Sequence, residues 1–368
     1  MTASTLSEVA RLAGVSPATA SRVLNGSVRT PGPEIAERVR QAAASLSYVP
    51  NAQAQGLAKS SSGLIGLIVH DIADPYFAAI ARGVQAAARE QDKMVLLATT
   101  KGTPADERAA VAAFAARRAD SIVIAGSRST RPEDRDGNAE LAAELDRYCR
   151  NGGRVGVVGH AIVGASAANS YHVVAVPNEE LAAELARELA AIHTGEFVIV
   201  AGPDGLVTSD DRIRGFQRGL AAAGLSPADV MHSGFDREGG YEAGLKLATR
   251  IKAGQAADSG AARLCVFAVN DVMAIGAVAA LRSEGLRIPR DASIAGFDDI
   301  ETLRDFRPAL STVRLPLEDI GRLAALGSSG ERKAGDGGGA RSSIAGKLTL
   351  RRSTETPHST RKQQAQQA

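Results

Sequence analysis

The sequence predicts an α/β protein in which a small helical head precedes two doubly wound parallel sheets in tandem. Three observations carry that prediction. Thr5 to Asn25 has the capping and periodicity of two short helices joined by a tight turn. From Leu64 onward, short apolar runs rich in Val and Ile alternate with helical stretches. The alternation starts afresh at Glu179, which calls for two sheets rather than one.

In the head, Thr5-Leu6-Ser7-Glu8 has the capping-box form, and Leu6, Val9, Ala10 and Ala13 share one helical face. Gly14 can take the positive φ that ends this helix, with Val15 plugging the corner. Ser16 suits an N-cap and Pro17 the first helical position, where no amide proton is needed. Ala20, Val23 and Leu24 then point inward, leaving Ala18, Thr19, Ser21, Arg22 and Asn25 outside. A short outer face that is small and polar fits a major groove, so the segment reads as a helix-turn-helix with double-stranded DNA as its partner. Pro17 and Ala18 can only meet thymine methyls or fit close to the bases. Thr19 and Arg22 are expected to read base edges, with Thr5, Ser16, Ser21 and Asn25 available for phosphates. The plain alternative is a helical hairpin that merely packs.

Pro31-Gly32-Pro33 is a stop, and Glu34–Leu46 resumes helical periodicity as a third, bracing helix. The stretch 51–58, NAQAQGLA, is too short to hold a helix alone, and Gly56 costs about 1 kcal/mol more. By itself it is a linker. The body follows with strands at Leu64–Val69, Val95–Thr99, Ser121–Ala125 and Val155–Val158, separated by helices Phe77–Gln91, Ala105–Arg117 and Ala139–Cys149. The second series has helices Glu179–Ala190, Asp211–Ala223, Gly240–Arg250 and Val272–Glu284, with strands Glu196–Ala201, Leu264–Ala268 and Ser293–Ala295. Lobe crossings are expected near Val174–Asn178, near Glu301–Arg307 and near residue 330. Gly327–Gly339 reads as a flexible loop, Leu348–Leu350 as a final strand, and the tail from residue 356 as disordered. The expected division is a head over 1–49, a hinge over 50–63, a two-lobed body over 64–355 and a tail over 356–368.

Composition is consistent with this plan. Hydrophobic residues make up 44% of the 368, enough for sizeable cores, and only 4% are aromatic. The net charge is +2, but residues 1–60 hold six Lys/Arg against three Glu, while the other 37 basic and 38 acidic residues nearly cancel. A mildly basic head on a neutral body suits a protein that touches phosphate with one end. Cys149 and Cys265 have no metal-ligand spacing and read as core filler. The opening residues lack an apolar run and the other apolar runs are far too short to span a bilayer, so a cytoplasmic chain without membrane partners is expected. No Walker loop, His-Glu-x-x-His, Gly-x-Ser-x-Gly elbow or histidine cluster is present, so neither an enzyme nor a metal or other cofactor is expected.

These residues resemble the lactose-repressor/galactose-repressor (LacI/GalR) family of bacterial transcription regulators. The resemblance implies a body like the sugar-binding periplasmic proteins, a homodimer, and an effector held between the lobes at the strands' carboxyl ends. It implies that the linker turns helical on operator DNA, with Leu57 wedged into the minor groove beside Ala54; Gln55 stands where many relatives have Arg. In the body, Asp74-Pro75-Tyr76-Phe77 matches the family's first effector-binding motif, and Arg212-x-x-Gly215-Phe216 marks Arg212 as the ligand arginine. Phe235-Asp236-x-x-Gly239-Gly240 supplies a pocket wall, and Asn270-Asp271 opens a helix where Asp271 is expected to accept hydrogen bonds from ligand hydroxyls. Carboxylate, guanidinium and aromatic faces together suit a sugar or other polyol. Taken singly, Asp271 also reads as an N-cap, Arg212 as a surface ion pair, and Tyr76 and Phe77 as core. Ala292–Ile300 and Arg307–Val313 match family signatures too and read as structural, while Pro177-Asn178 replaces the family's usual Asp-Asn. The implied function is a repressor released from a palindromic operator by a small sugar-like effector. Its rivals are a co-repressor-controlled regulator of the same fold and a cytoplasmic sugar-binding or sugar-metabolising protein.

Overall fold

The computed structural model describes residues 4–25, 31–49, 61–165, 171–226, 228–256, 263–329 and 340–355. The chain divides into two compact units, Met1–Gly63 and Leu64–Ala368. The hinge stretch, with Ala54, Gln55 and Leu57, lies outside the described residues, as does the tail.

The head consists of α1 (Leu6–Ala13), α2 (Pro17–Leu24) and α3 (Pro33–Ser45). Its start is the reciprocal cap: the Glu8 amide donates to Thr5 Oγ1 at 3.3 Å and the Thr5 amide donates to the Glu8 carboxylate at 2.7 Å. Gly14 ends α1 at φ 64, a conformation its missing Cβ makes inexpensive. Val9, Ala10, Ala13, Ala20, Val39, Ala42 and Ala43 form the core. Most are alanines, so the three helices can approach closely without large side chains.

In the body the first lobe contains β1 (Leu64–Val69), α4 (Pro75–Glu90), β2 (Met94–Thr99), α5 (Pro104–Ala116), β3 (Ser121–Ala125), α6 (Arg135–Arg150), β4 (Arg154–Val158) and β5 (Tyr171–Ala175). The second contains α7 (Asn178–Ile192), β6 (Phe197–Ala201), α8 (Val207–Ala222), β7 (Asp229–His232), α9 (Arg237–Ala256), β8 (Leu264–Ala268), α10 (Asp271–Ser283) and β9 (Ala292–Ala295). The chain then runs through β10 (Thr312–Arg314), α11 (Leu317–Ser329), β11 (Ala340–Ser343) and β12 (Lys347–Thr349). The first sheet has the order β11-β5-β4-β3-β1-β2 and the second β7-β6-β8-β9, all parallel, while β10 and β12 pair antiparallel. Alternation along β1 shows why the sheet needs helices on both faces. Ile65, Leu67 and Val69 join the core that includes α4 and α11, whereas Ile68 packs with Val111, Phe114, Leu141 and Leu145 of α5 and α6.

Three expectations are corrected. Gly327–Ser329 are helical, as the end of α11, a helix the sequence did not announce. Its glycines look like breakers, yet a Cβ on Gly321 would lie 2.1 Å from the Ile80 carbonyl oxygen and one on Gly83 would lie 1.9 Å from that of Glu318. They are the notch where α4 and α11 cross. The second lobe crossing falls after β10, at Leu315–Leu317, because Ser311 and Arg314 bridge back to Ala295 and Asp298 beside β9. The third falls at Ile344–Gly346, between β11 and β12, rather than near residue 330. The short strands β5, β7, β10 and β11 were also unannounced.

Candidate functional site

In the head, Ser16 caps α2 by accepting the Thr19 amide at 3.1 Å, and the Ser16 and Thr19 hydroxyls lie 2.9 Å apart. Pro17, Ala18 and Arg22 are exposed and Thr19 and Ser21 half-exposed, so α2 presents the surface the sequence predicts. Among the described residues Arg22 makes no ion pair. Asn25 is tied back by donating to Ser21 Oγ at 2.9 Å. Thr5 forms the expected cap: its hydroxyl accepts the Glu8 amide at 3.3 Å and donates to the Glu8 carboxylate at 3.1 Å.

In the body, the loops after the strands' carboxyl ends bring the predicted residues together from two lobes. Asp74 caps α4 by accepting the Tyr76 amide at 2.9 Å, and burial raises its carboxyl above the usual range. Tyr76 and Phe77 meet edge to face at 5.0 Å, and His70 lies 5.5 Å from Phe77. The Tyr76 phenol is held above its ordinary value by burial and then by the Asp298 carboxylate, which places this first-lobe ring within reach of second-lobe charges.

Arg212 projects from α8 and is almost fully buried. Its Nε donates to Asn178 Oδ1 at 2.9 Å, one terminal nitrogen to the Val269 carbonyl at 2.6 Å, and the other to Asp298 Oδ1 at 2.9 Å. Its guanidinium carbon stands 3.8 Å from the centre of the Phe297 ring. The neighbouring Gly215 lets α8 approach α7, since a Cβ there would lie 2.1 Å from the Glu179 carbonyl oxygen. Phe216 stacks on Phe267 at 4.5 Å. In the Arg-x-x-Gly-aromatic motif, therefore, the arginine faces the site while the glycine and aromatic set its position. Asn270 caps α10 by accepting the Met273 amide at 2.8 Å and donates to the Phe235 carbonyl at 3.3 Å, fixing that half-buried wall.

Asp271 is the principal correction. It has no exposed surface, and its two oxygens accept the Thr312 hydroxyl at 2.7 Å and the Ile300 amide at 3.0 Å. Burial, followed by the nearby Asp298 charge, pushes its carboxyl well above the usual range. It is a strut that shapes the turn after β9, not an acceptor waiting for hydroxyls. The carboxylate beside Arg212 is Asp298, pushed up to about 6 by burial despite the opposing guanidinium. The sequence displayed it within Phe297-Asp298-Asp299, a stretch read as purely structural. Asn178 was likewise visible, but only as a departure from the family pattern.

Further contacts bridge the lobes. The Val207 amide donates to the Arg128 carbonyl at 2.9 Å, the Thr130 amide to the Gly205 carbonyl at 2.9 Å, and the Thr208 amide to Ser127 Oγ at 3.0 Å. Arg128 is locked bidentately to buried Glu107 at 2.6 and 2.9 Å, with His70 Nε2 at 3.6 Å from the same carboxylate. Against the cost of burial, Arg128 and His70 hold Glu107 down to about 2. A cavity of about 810 Å³ lies along Asp299, Glu301, Arg304, Arg314, Glu318 and Arg351, but its guanidinium groups are already paired with its own carboxylates. Its size alone does not make it the site; the convergent groups lie around Asp298 instead. Among the described residues no three potential metal ligands cluster, and no helix is long and apolar enough to cross a membrane.

A groove-sized helix on one unit and a two-lobed cleft on the other define a transcription regulator with a ligand-binding body. The comparisons give the family. Residues 5–51 match the model for bacterial regulatory proteins of the lacI family, and residues 179–354 match a periplasmic binding protein-like domain. The ribose operon repressor of Haemophilus influenzae is 31% identical over 87% of this chain and 89% of its own length. The regulator GalS of Salmonella typhimurium is 30% identical over 87% of each. Among solved structures, a complex of the regulator CelR with cellobiose is 26% identical, with a TM-score of 0.64 over 95% of this chain and 99% of that one. The lac repressor dimer bound to operator has the same fold, with a TM-score of 0.78 at 22% identity over 96% and 100%. The chain belongs to the lacI family of bacterial regulatory proteins. It is a DNA-binding transcriptional regulator, and not an enzyme.

Proposed function

We propose that this regulator is a cytoplasmic homodimeric repressor that leaves a palindromic operator when a small sugar-like effector closes its lobes. The observation that carries the reading is the buried Arg212–Asp298 pair, whose charges are felt by Tyr76 of the other lobe. A fixed guanidinium and carboxylate can give and take charge-assisted hydrogen bonds with hydroxyls, while Phe77 and Phe235 offer faces to C–H groups. Asp74 and Asn270 hold those aromatic walls in place. The names of the relatives point the same way, since one is a ribose operon repressor and one neighbour holds cellobiose. At the DNA end, Arg22 and Thr19 read bases and Leu57 props open a step, which unstacks the duplex at a cost offset by the contacts bending allows.

The test begins with selection of binding sites from a random DNA pool, which should return inverted half-sites. Anisotropy on the selected DNA then follows release by ribose, galactose and cellobiose, with purines alongside. Release by a sugar supports the reading, whereas a ligand that tightens binding makes it a co-repressor and reverses the switch. By linkage, operator DNA must weaken sugar binding by the factor with which sugar weakens DNA binding.

A further inference from the structure

His160 follows β4 at its carboxyl end and reaches across the lobes. Its Nε2 lies 2.6 Å from Asp211 Oδ2, on the residue of α8 that immediately precedes Arg212. Asp211 also accepts from Arg214. Burial works against its charge, but His160 and Arg214 outweigh that and hold the carboxyl below its usual range. An ionised carboxylate can only accept, so Nε2 must carry the hydrogen of the bond. In a neutral imidazole the other nitrogen, Nδ1, is then a bare acceptor. That atom is buried and has no hydrogen-bond partner among the described residues. A buried acceptor left without a partner carries a desolvation penalty that a ligand donor would remove.

We propose that His160 is an effector-reading residue of the first lobe, whose Nδ1 accepts a hydrogen bond from a hydroxyl of an uncharged sugar while Nε2 latches the lobes through Asp211. The inference rests on the effector reading above and narrows it. A phosphate or carboxylate at this point would set lone pairs against a lone pair. Nor do the neighbouring guanidinium groups ask for an anion: Arg212 is paired with Asp298, Arg128 with Glu107, and Arg214 with Asp211 and Glu179. One side chain thus couples ligand chemistry to closure.

Two measurements on the full-length protein test this. The first is a long-range proton–nitrogen spectrum of histidine-labelled protein, with His160 assigned by its loss in H160Q. A bare Nδ1 and a protonated Nε2 are expected; two protonated nitrogens overturn the acceptor assignment. The second is calorimetric titration with ribose, galactose, cellobiose and ribose 5-phosphate. The parent should bind an uncharged sugar. H160Q, whose amide can still reach Asp211 but offers nothing at Nδ1, should lose about three- to tenfold in affinity. H160N places a group near Nδ1 but cannot reach Asp211, so it should lose affinity for every sugar alike, including deoxy analogues. Thermal melts establish that both variants fold. An unchanged affinity in folded H160Q, or a preference of the parent for the phosphate ester, removes His160 from the role and leaves the effector reading standing. If no sugar binds the parent, the effector reading itself fails.

Discussion

Arg22 and Arg212 are the same side chain put to opposite uses. On α2 of the head, Arg22 is exposed and makes no ion pair among the described residues. In the body, Arg212 is buried with three partners and an aromatic ring. The difference follows from what each partner brings. DNA carries its own charge, so a guanidinium that reads it can wait in water at little cost and be organised on contact. The uncharged sugar proposed for the body would bring no charge, so its site would need a guanidinium and carboxylate already held in place, each compensating the burial of the other.

The largest effects should come from breaking the buried arrangement. Asp298→Ala leaves Arg212 without its counter-charge and should cost about 3–5 kcal/mol of body stability in urea unfolding. Release of DNA by any responsive sugar should be lost as well. A loss below 1 kcal/mol would mean that Arg212 is effectively solvated, and the contrast with Arg22 would collapse. Glu107 offers an acid counterpart. With its folded pKa near 2 and the unfolded value near 4.5, its contribution is complete above about pH 4.5 and disappears as the pH falls toward 2. Glu107→Gln should therefore flatten the acid limb of the stability curve, and an unaltered limb would discount the Arg128 pair.

Next in size is Arg22→Ala, expected to cost roughly 1–3 kcal/mol on the selected operator and much less on random DNA in the same anisotropy assay. Equal losses on both would reduce Arg22 to a backbone contact. Asp271 separates strut from ligand. Asp271→Ala should cost about 1–3 kcal/mol by leaving Thr312 and Ile300 unpaired, whereas Asp271→Asn should keep most of both stability and sugar affinity. A folded Asn variant that no longer binds sugar would restore Asp271 to the cleft. Ser16→Ala is the smallest effect, about 1 kcal/mol of head stability from the lost cap, read by thermal melting.

What the sequence determined by itself is local. Capping boxes, proline starts, Gly14 and the apolar periodicities depend on residues within a turn or two of one another, so the three head helices, most body strands and the exposed α2 surface were legible. Arg212 stood out only because Gly215 and Phe216 complete a pattern that the family shares. What only the tertiary structure decided is which distant groups meet. Asp271 and Asp298 are both aspartates beside the ends of second-lobe strands, and nothing local separates them. Sheet order puts Thr312 and Ile300 around one and Arg212 beside the other. The pairs His160–Asp211 and Glu107–Arg128 arise in the same way, each joining a loop residue to the start of a helix that the parallel topology gathers at the same end of the strands. A buried charge is stable only beside its complement, and that complement is chosen by the fold in three dimensions, not by neighbours along the chain.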